Sequence, residues 1–375
     1  MQNKPPKNTQ KYTLPPGALA PPLLRWYHKN RRVLPFREDA TPYHVWVSEI
    51  MLQQTRMAAA VPFYQRFIAA LPDVAALAAC SEEKLHKLWE GLGYYSRVRN
   101  MQKAAQAMMQ HHGGALPGTY EALLALPGIG PYTAGAIASI AFGQPYPAVD
   151  GNVLRVMARL TACPEEVEAP TAKSALVSLV QHQMPKDAPG AYNQALMELG
   201  ALVCTPRTPA CMGPAGPAAC PVHPLCEGLR QGIAATLPKK VPKKPRKTVP
   251  VCVLAARDGT RVLLQRRAET GLLAGLWQPV LWEARLTKAT AAAAIAALVP
   301  GATLGAPLPK ARHIFTHITW EMYGWQCTLP AGAAAPSGPY ALATPQQLLQ
   351  HYTLPGAFRA YLPMLLGEGN LPQNV

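Results

Sequence analysis

Acidic side chains are scarce in this sequence. Its 375 residues hold 20 Asp and Glu against 36 Lys and Arg, giving a net charge of +16 and a pI near 9.6. So few counter-charges leave a strongly basic chain, and a chain of that kind meets a polyanion, with nucleic acid first in order. A basic surface with no such partner is the plainer alternative. Long apolar runs are lacking as well. Ala122 to Val149 is uncharged but broken by Pro127, Gly128, Gly130, Pro131, Gly143 and Pro145. Ala289 to Pro309 is broken by Pro300, Gly301 and Gly305. Neither supplies the roughly 20 apolar helical residues of a membrane span. The first residues lack the apolar stretch of a secretory signal. Sustained heptads and internal repeats are missing too. The expectation is a soluble, cytoplasmic chain of two or three domains. In a reducing compartment, clustered cysteines favour metal over disulfide.

Residues 1–22, polar and Pro-rich, read as disordered. From Leu23 to about Leu202 the text is helical, with breaks at Pro or Gly. Thr41-Pro42 and Thr119 read as helix starts. Lys239 to Lys247 carries six basic residues in nine, plus two prolines, and reads as a stiff linker. Beyond it, Asp258-Gly259 separates two β-like runs, and Phe315 to Trp325 is β-rich again. The last ~125 residues therefore form a separate α+β domain.

Three stretches carry chemistry. "LPGIGPYTAGAIASIAFG" (Leu126 to Gly143) is a helix end, a Gly128-x-Gly130 hairpin and a new helix. Glycines allow close backbone approach, and the helix start offers N–H groups to a phosphate. A plain αα-hairpin fits the same pattern. Asp150, in "VDGNVLRV", follows 28 uncharged residues and precedes a helix. It is either an ordinary N-cap or a carboxylate held to face a developing cation. Glu49, in "WVSEIMLQQT", lies one turn from Val45, Trp46 and Leu52. An apolar setting raises its pKa and suits a general acid; a structural pair with Arg37 is the alternative. Together, one carboxyl poised to donate a proton and one to remain anionic suit cleavage of a glycosidic bond. On a DNA-binding scaffold that bond is N-glycosidic, in a flipped nucleotide.

These segments, with "GLGYYSRVRN" (Gly91 to Asn100) and "NQALMELG" (Asn193 to Gly200), stand in one order. The chain closely resembles the MutY-type adenine DNA glycosylases of the helix-hairpin-helix superfamily over about residues 23–226, and more loosely beyond. The resemblance implies an all-α helix-hairpin-helix core with an iron–sulfur loop, followed by an α+β Nudix-like domain. It implies a catalytic region at 23–228, with a helical barrel at about 42–148 and an iron–sulfur part from 23–41 plus 149–228. A linker at 229–248 and a Nudix-like domain at 249–375 complete the division. It implies removal of adenine opposite 8-oxoguanine or guanine in double-stranded DNA. Glu49 would protonate adenine N7, Asp150 would stabilise the sugar cation, and Tyr132 and Asn152 would support them. Gln54 and Tyr94 would enter the duplex. Arg32, Leu34, Phe36, Arg37, Leu52 and Glu198 would shape the adenine pocket, and Gln53, Gly128 and Gly130 would meet substrate or DNA. Phe36 stands where the family usually has Trp. The sister endonuclease-III-type enzymes carry a strand-cutting lysine where this chain has Tyr132; residues 126–142 contain none. A monofunctional glycosylase is expected, with the bifunctional lyase as the alternative.

In the C-terminal part, Phe315, Thr316 and His317 match the family's Phe-Ser-His reader of 8-oxoguanine. Asp258, Glu269, Glu283, Glu321 and Glu368 are too dispersed for the Mg²⁺ site of a nucleotide-pool hydrolase. The catalytic constellation argues against a DNA-binding protein without activity. Cys204, Cys211, Cys220 and Cys226 are separated by gaps of six, eight and five residues. Spacing alone leaves zinc and iron–sulfur open, with His223 as a further possible ligand. The resemblance implies a structural [4Fe–4S] cluster in which the second gap is extended by a Gly/Pro/Ala loop. A monomer, nucleoid-associated in a bacterial cytoplasm, is expected; Cys80, Cys163, Cys252 and Cys327 read as core residues.

Overall fold

The computed structural model describes residues 12–239 and 245–367. Residues 1–11, 240–244 and 368–375, which include parts of the expected disordered segment, linker and final domain, lie outside the described residues. The described chain separates into two compact units, one from residues up to 79 plus 99–242, the other from 80–98 plus 243 onward.

The first unit is helical. Thr41 caps the Pro42–Leu52 helix, its hydroxyl accepting from His44 N at 3.3 Å. Thr119 caps the Tyr120–Leu124 helix in the same way. Tyr43, Val45, Trp46, Val47, Ser48, Glu49, Ile50 and Met51 are all buried. A helix buried over most of its surface belongs at the centre of a core, and burying Trp46 alone contributes about 2–3 kcal/mol. The Tyr120–Leu124 helix ends near the Gly128 turn, and Pro131–Ile140 follows. Gly128 has φ 76°, and a Cβ there would crowd Asn100; this backbone is open only to glycine. At Gly135 a Cβ would run into the Pro147 carbonyl. That close approach lets the 141–149 loop lie on the helix and deliver Asp150 to the start of Gly151–Leu160. Pro189–Leu202 packs against both preceding helices.

Two expectations need correction here. Residues 12–22 are ordered: Tyr12, Leu19 and Ala20 are buried in the main core, and the Ala20–Asn30 helix has already begun. Few apolar residues are enough when each one docks, which a polar average conceals. Residues 229–239 are likewise folded rather than linking. Ala234 and Leu237 are buried, and the buried Arg159 donates to Leu237 O at 3.0 Å.

The second unit is a mixed seven-stranded sheet of order β4-β6-β1-β3-β2-β7, with β5 also on β6. Its strands are β1 Lys247–Arg257, β2 Val262–Arg266, β3 Trp277–Trp282, β4 Thr303–Pro307, β5 Ala311–Ile314, β6 Ile318–Thr328 and β7 Tyr340–Ala343. β1 and β2 form the expected hairpin across Asp258-Gly259, Arg257 opposite Val262. β1 runs parallel to β6 from Lys247↔Ile318 to Arg257↔Thr328. Apolar clusters cover both faces, as a sheet with a parallel pair at its centre requires. Residues 80–98 group with this sheet rather than with the helical barrel. Glu82 pairs with Arg266 at 3.0 Å, and Glu90 accepts from Leu354 N at 3.0 Å.

Candidate active site

Glu49 is 8% exposed. Tyr132, in the first turn of the helix after the hairpin, donates its hydroxyl to Glu49 Oε2 at 2.5 Å. Burial and then the neighbouring Glu49 push Tyr132 well above its ordinary range, so it remains the donor. Burial, the largest influence, raises Glu49 to about 7. Tyr132 and Arg37 oppose that rise, and Asp150 adds to it. A carboxyl near 7 is half protonated at neutral pH, where a general acid works best.

Asp150 is the N-cap of its helix and also part of the site. Its Oδ1 accepts from Val153 N at 2.8 Å and its Oδ2 from Asn152 Nδ2 at 2.7 Å. Two donors and the N-terminal end of the helix thus face this carboxyl. Asn152 is itself oriented, its Oδ1 accepting from Arg155 Nη2 at 3.0 Å. Arg155 also donates to Gly200 O at 2.8 Å and Cys204 O at 2.9 Å. A continuous run of hydrogen bonds thus connects Asp150 with the first cysteine of the loop.

Both carboxyls line one cavity of about 780 Å³, with Tyr132, Asn152, Arg32, Phe36, Arg37, Leu52, Gln53, Gln54 and Glu198. Glu198 anchors one wall. Arg32 Nε reaches its Oε1 at 2.7 Å and Arg37 Nη2 its Oε2 at 2.9 Å. Burial alone would raise Glu198, but bonds from Arg32 and Arg37 outweigh it and hold the carboxyl at about 2. Arg37 therefore belongs to Glu198, not to Glu49 as the structural alternative had it. Phe36 meets Tyr64 edge-on, centroids 5.4 Å apart. Gln53 Nε2 donates to Thr133 Oγ1 at 3.3 Å. Gln54, exposed, holds a left-handed φ of 60°, a strain that non-glycine residues keep mainly at functional positions.

Leu34, Gly128 and Gly130 do not line this cavity. Leu34 is buried beneath the Pro35–Glu38 turn. Gly130 is the N-cap of Pro131–Ile140 without a side-chain cap, which leaves helix N–H groups for an anion. Sequence reading missed Ser48, Arg56, Gln194 and Met197 on the cavity wall. Gln194, Met197 and Glu198 are spaced i, i+3, i+4 on one helix, so they share a face; that spacing was the available signal.

The four cysteines of the 204–226 loop line a second, smaller cavity with Arg159, His223 and apolar residues. Among the described residues no three His, Cys, Asp or Glu side chains close around a point that would hold a metal ion. Burial raises Cys211, Cys220 and Cys226, and each also feels other thiols of the set, Cys204 included. Arg159 Nη1 lies 3.3 Å from Cys204 Sγ, a cation where thiolates would gather. His223 Nδ1 is engaged with Cys220 O at 2.9 Å. The added residues fold on themselves: Gly213 N reaches Ala210 O at 3.0 Å and Gly216 N reaches Gly213 O at 2.9 Å. The donor set fits a four-thiolate cluster.

In the second unit, Phe315, Thr316 and His317 form the turn from β5 to β6, with Phe315 N bonded to Ile318 O at 2.8 Å. Phe315 packs edge-on against buried Trp320, centroids 5.0 Å apart. Thr316 and His317 are exposed. Tyr94, 48% exposed, shares a hydrogen bond of 3.3 Å with the Thr316 hydroxyl. No described helix is long and apolar enough to cross a membrane.

Residues 47–181 match the HhH-GPD superfamily of base excision DNA repair proteins, and residues 251–364 match the NUDIX domain. An adenine DNA glycosylase of Mus musculus is 35% identical over 378 residues, spanning 84% of this chain and 72% of that relative. One of Homo sapiens is 37% identical over 318 residues, spanning 70% of this chain and 57% of that relative. Among solved structures, a thermostable thymine-DNA glycosylase superposes with a TM-score of 0.51 at 26% identity, over 56% of this chain and 94% of that one.

Proposed function

The chain belongs to the adenine DNA glycosylases, hydrolases of N-glycosyl bonds in DNA, and from that premise we propose that its substrate is adenine mispaired with 8-oxoguanine, or with guanine, in double-stranded DNA. The observation that carries the mechanism is a buried carboxyl raised to about 7 beside a second carboxyl capping a helix. In this reading adenine is flipped into the cavity. Protonated Glu49 gives its proton to adenine N7, so the base leaves neutral. Asp150, held by Val153 N and Asn152, stabilises the sugar cation until water adds. Tyr132 keeps the Glu49 carboxyl aimed. The Glu198–Arg32–Arg37 group, with Phe36, Leu52 and Gln53, bounds the base.

Gln54 and Tyr94 enter the duplex, and the Gly128–Gly130 hairpin takes a phosphate. Thr316, flanked by Phe315 and His317, reads 8-oxoguanine through its hydroxyl. Residues 126–142 offer no lysine for a Schiff base, so the enzyme releases adenine without cutting the strand. Cys204, Cys211, Cys220 and Cys226 hold a [4Fe–4S] cluster, which when bound ties the loop together. The enzyme acts as a monomer on the DNA of a bacterial cytoplasm. The test is a duplex with adenine opposite 8-oxoguanine. Free adenine is expected, with strand scission only after alkali; scission without alkali would point to the bifunctional lyase.

A further inference from the structure

Three residues of the turn that presents Tyr94 are left-handed: Gly91 at φ 98°, Gly93 at 67° and Tyr94 itself at 48°. The glycines adopt this freely, but Tyr94 does so only if its surroundings hold it. One side chain does most of that holding. Arg97 Nη2 donates to Leu92 O at 3.1 Å and to Gly93 O at 3.2 Å. Its backbone N reaches Tyr94 O at 2.9 Å. Its guanidinium lies 5.6 Å from the Tyr94 ring centroid and 5.2 Å from that of Trp89. Trp89 Nε1 closes the frame on Gly93 O at 3.0 Å. Burial lowers Arg97 only to about 10, so it remains a cation at neutral pH.

We propose that Arg97 is a positioning residue for lesion recognition, its planar guanidinium fixing the Gly91–Tyr94 turn so that the Tyr94 ring stands preset beside the Thr316 hydroxyl. The inference rests on the reading of Tyr94 as a residue that enters the duplex. Arginine suits the task because a flat, delocalised cation stacks on rings while donating in its plane. Lysine keeps the charge and loses that geometry.

The test is a double-mutant cycle of duplex affinity. The probe carries 2′-fluoro-2′-deoxyadenosine opposite 8-oxoguanine, since the fluorine blocks base loss. Arg97→Lys, which preserves net charge, should weaken binding about tenfold, the worth of one charge-assisted hydrogen bond. Tyr94→Ala should weaken it at least as much. The double variant should bind no worse than Tyr94→Ala, because Arg97 acts through Tyr94. In single turnover, Arg97→Lys should lose far more in half-saturating concentration than in maximal rate. Losses that multiply in the double variant would overturn the inference and leave the Tyr94 reading standing. Parent-like binding by Tyr94→Ala would overturn both, and parent-like binding by Arg97→Lys the inference alone. If Arg97→Lys does not fold, Arg97→Gln, still a planar donor, takes its place in the same cycle.

Discussion

Replacing Glu49 by Gln should stabilise the protein while abolishing base release. The folded chain holds the Glu49 proton up to about 7, where an ordinary carboxyl releases it near 4.5. The folded state therefore binds more protons than the unfolded state, and stability falls as pH rises between those values. Above both, the cost is roughly 3 kcal/mol, from about 1.4 kcal/mol per pH unit. Gln has nearly the same volume, keeps an oxygen to accept from Tyr132, and is never charged. Glu49→Gln should thus gain about 3 kcal/mol at pH 8.5 and about a quarter of that at pH 5. For a helical unit of this size the gain corresponds to a melting rise of roughly 6–12 °C at pH 8.5. Calorimetric melts of parent and variant at both pH values measure it. Equal shifts at both pH values, or a loss at pH 8.5, would refute the argument that desolvation governs this carboxyl.

Four further outcomes can be checked. Tyr132→Phe removes the bond that favours the charged carboxylate, so the alkaline limb of the parent pH–rate profile, expected near pH 7, should move upward in single-turnover assays. Asp150→Asn should abolish base release while duplex affinity, read by anisotropy, changes little. Glu198→Gln leaves Arg32 and Arg37 without their carboxylate and should cost about 3 kcal/mol at pH 7. The group's pKa is depressed to about 2, so that cost should shrink as pH falls below about 4.5; melts at pH 7 and pH 3 compare them. Cys220→Ser should lose most bound iron and labile sulfide on purification.

Features with a local cause were legible in the sequence. Thr41, Thr119 and Asp150 cap helices because short polar side chains before a helical run satisfy its first N–H groups. The Asp258-Gly259 hairpin follows from turn chemistry. Glu49 was legible as a lone carboxyl in an apolar run, and Asp150 as a charge after a long neutral stretch. Partners distant in the chain were not legible. Arg37 finds Glu198 161 residues away, and no local pattern chooses that carboxyl over Glu49. The docking of residues 12–22 and 229–239, and the siding of 80–98 with the sheet, depend on surfaces created elsewhere in the fold.

The cavity draws its three carboxyl groups from helices at Glu49, Asp150 and Glu198, and this spacing sets an order in time. A ribosome adds roughly 5–20 residues per second. Glu198 follows Glu49 by 149 positions, which take about 7–30 s to be added at that rate. Until they are, the wall that Glu198 anchors is missing, and the cavity beside Glu49 stays open on that side. The cavity is complete only late in synthesis, when its last wall closes.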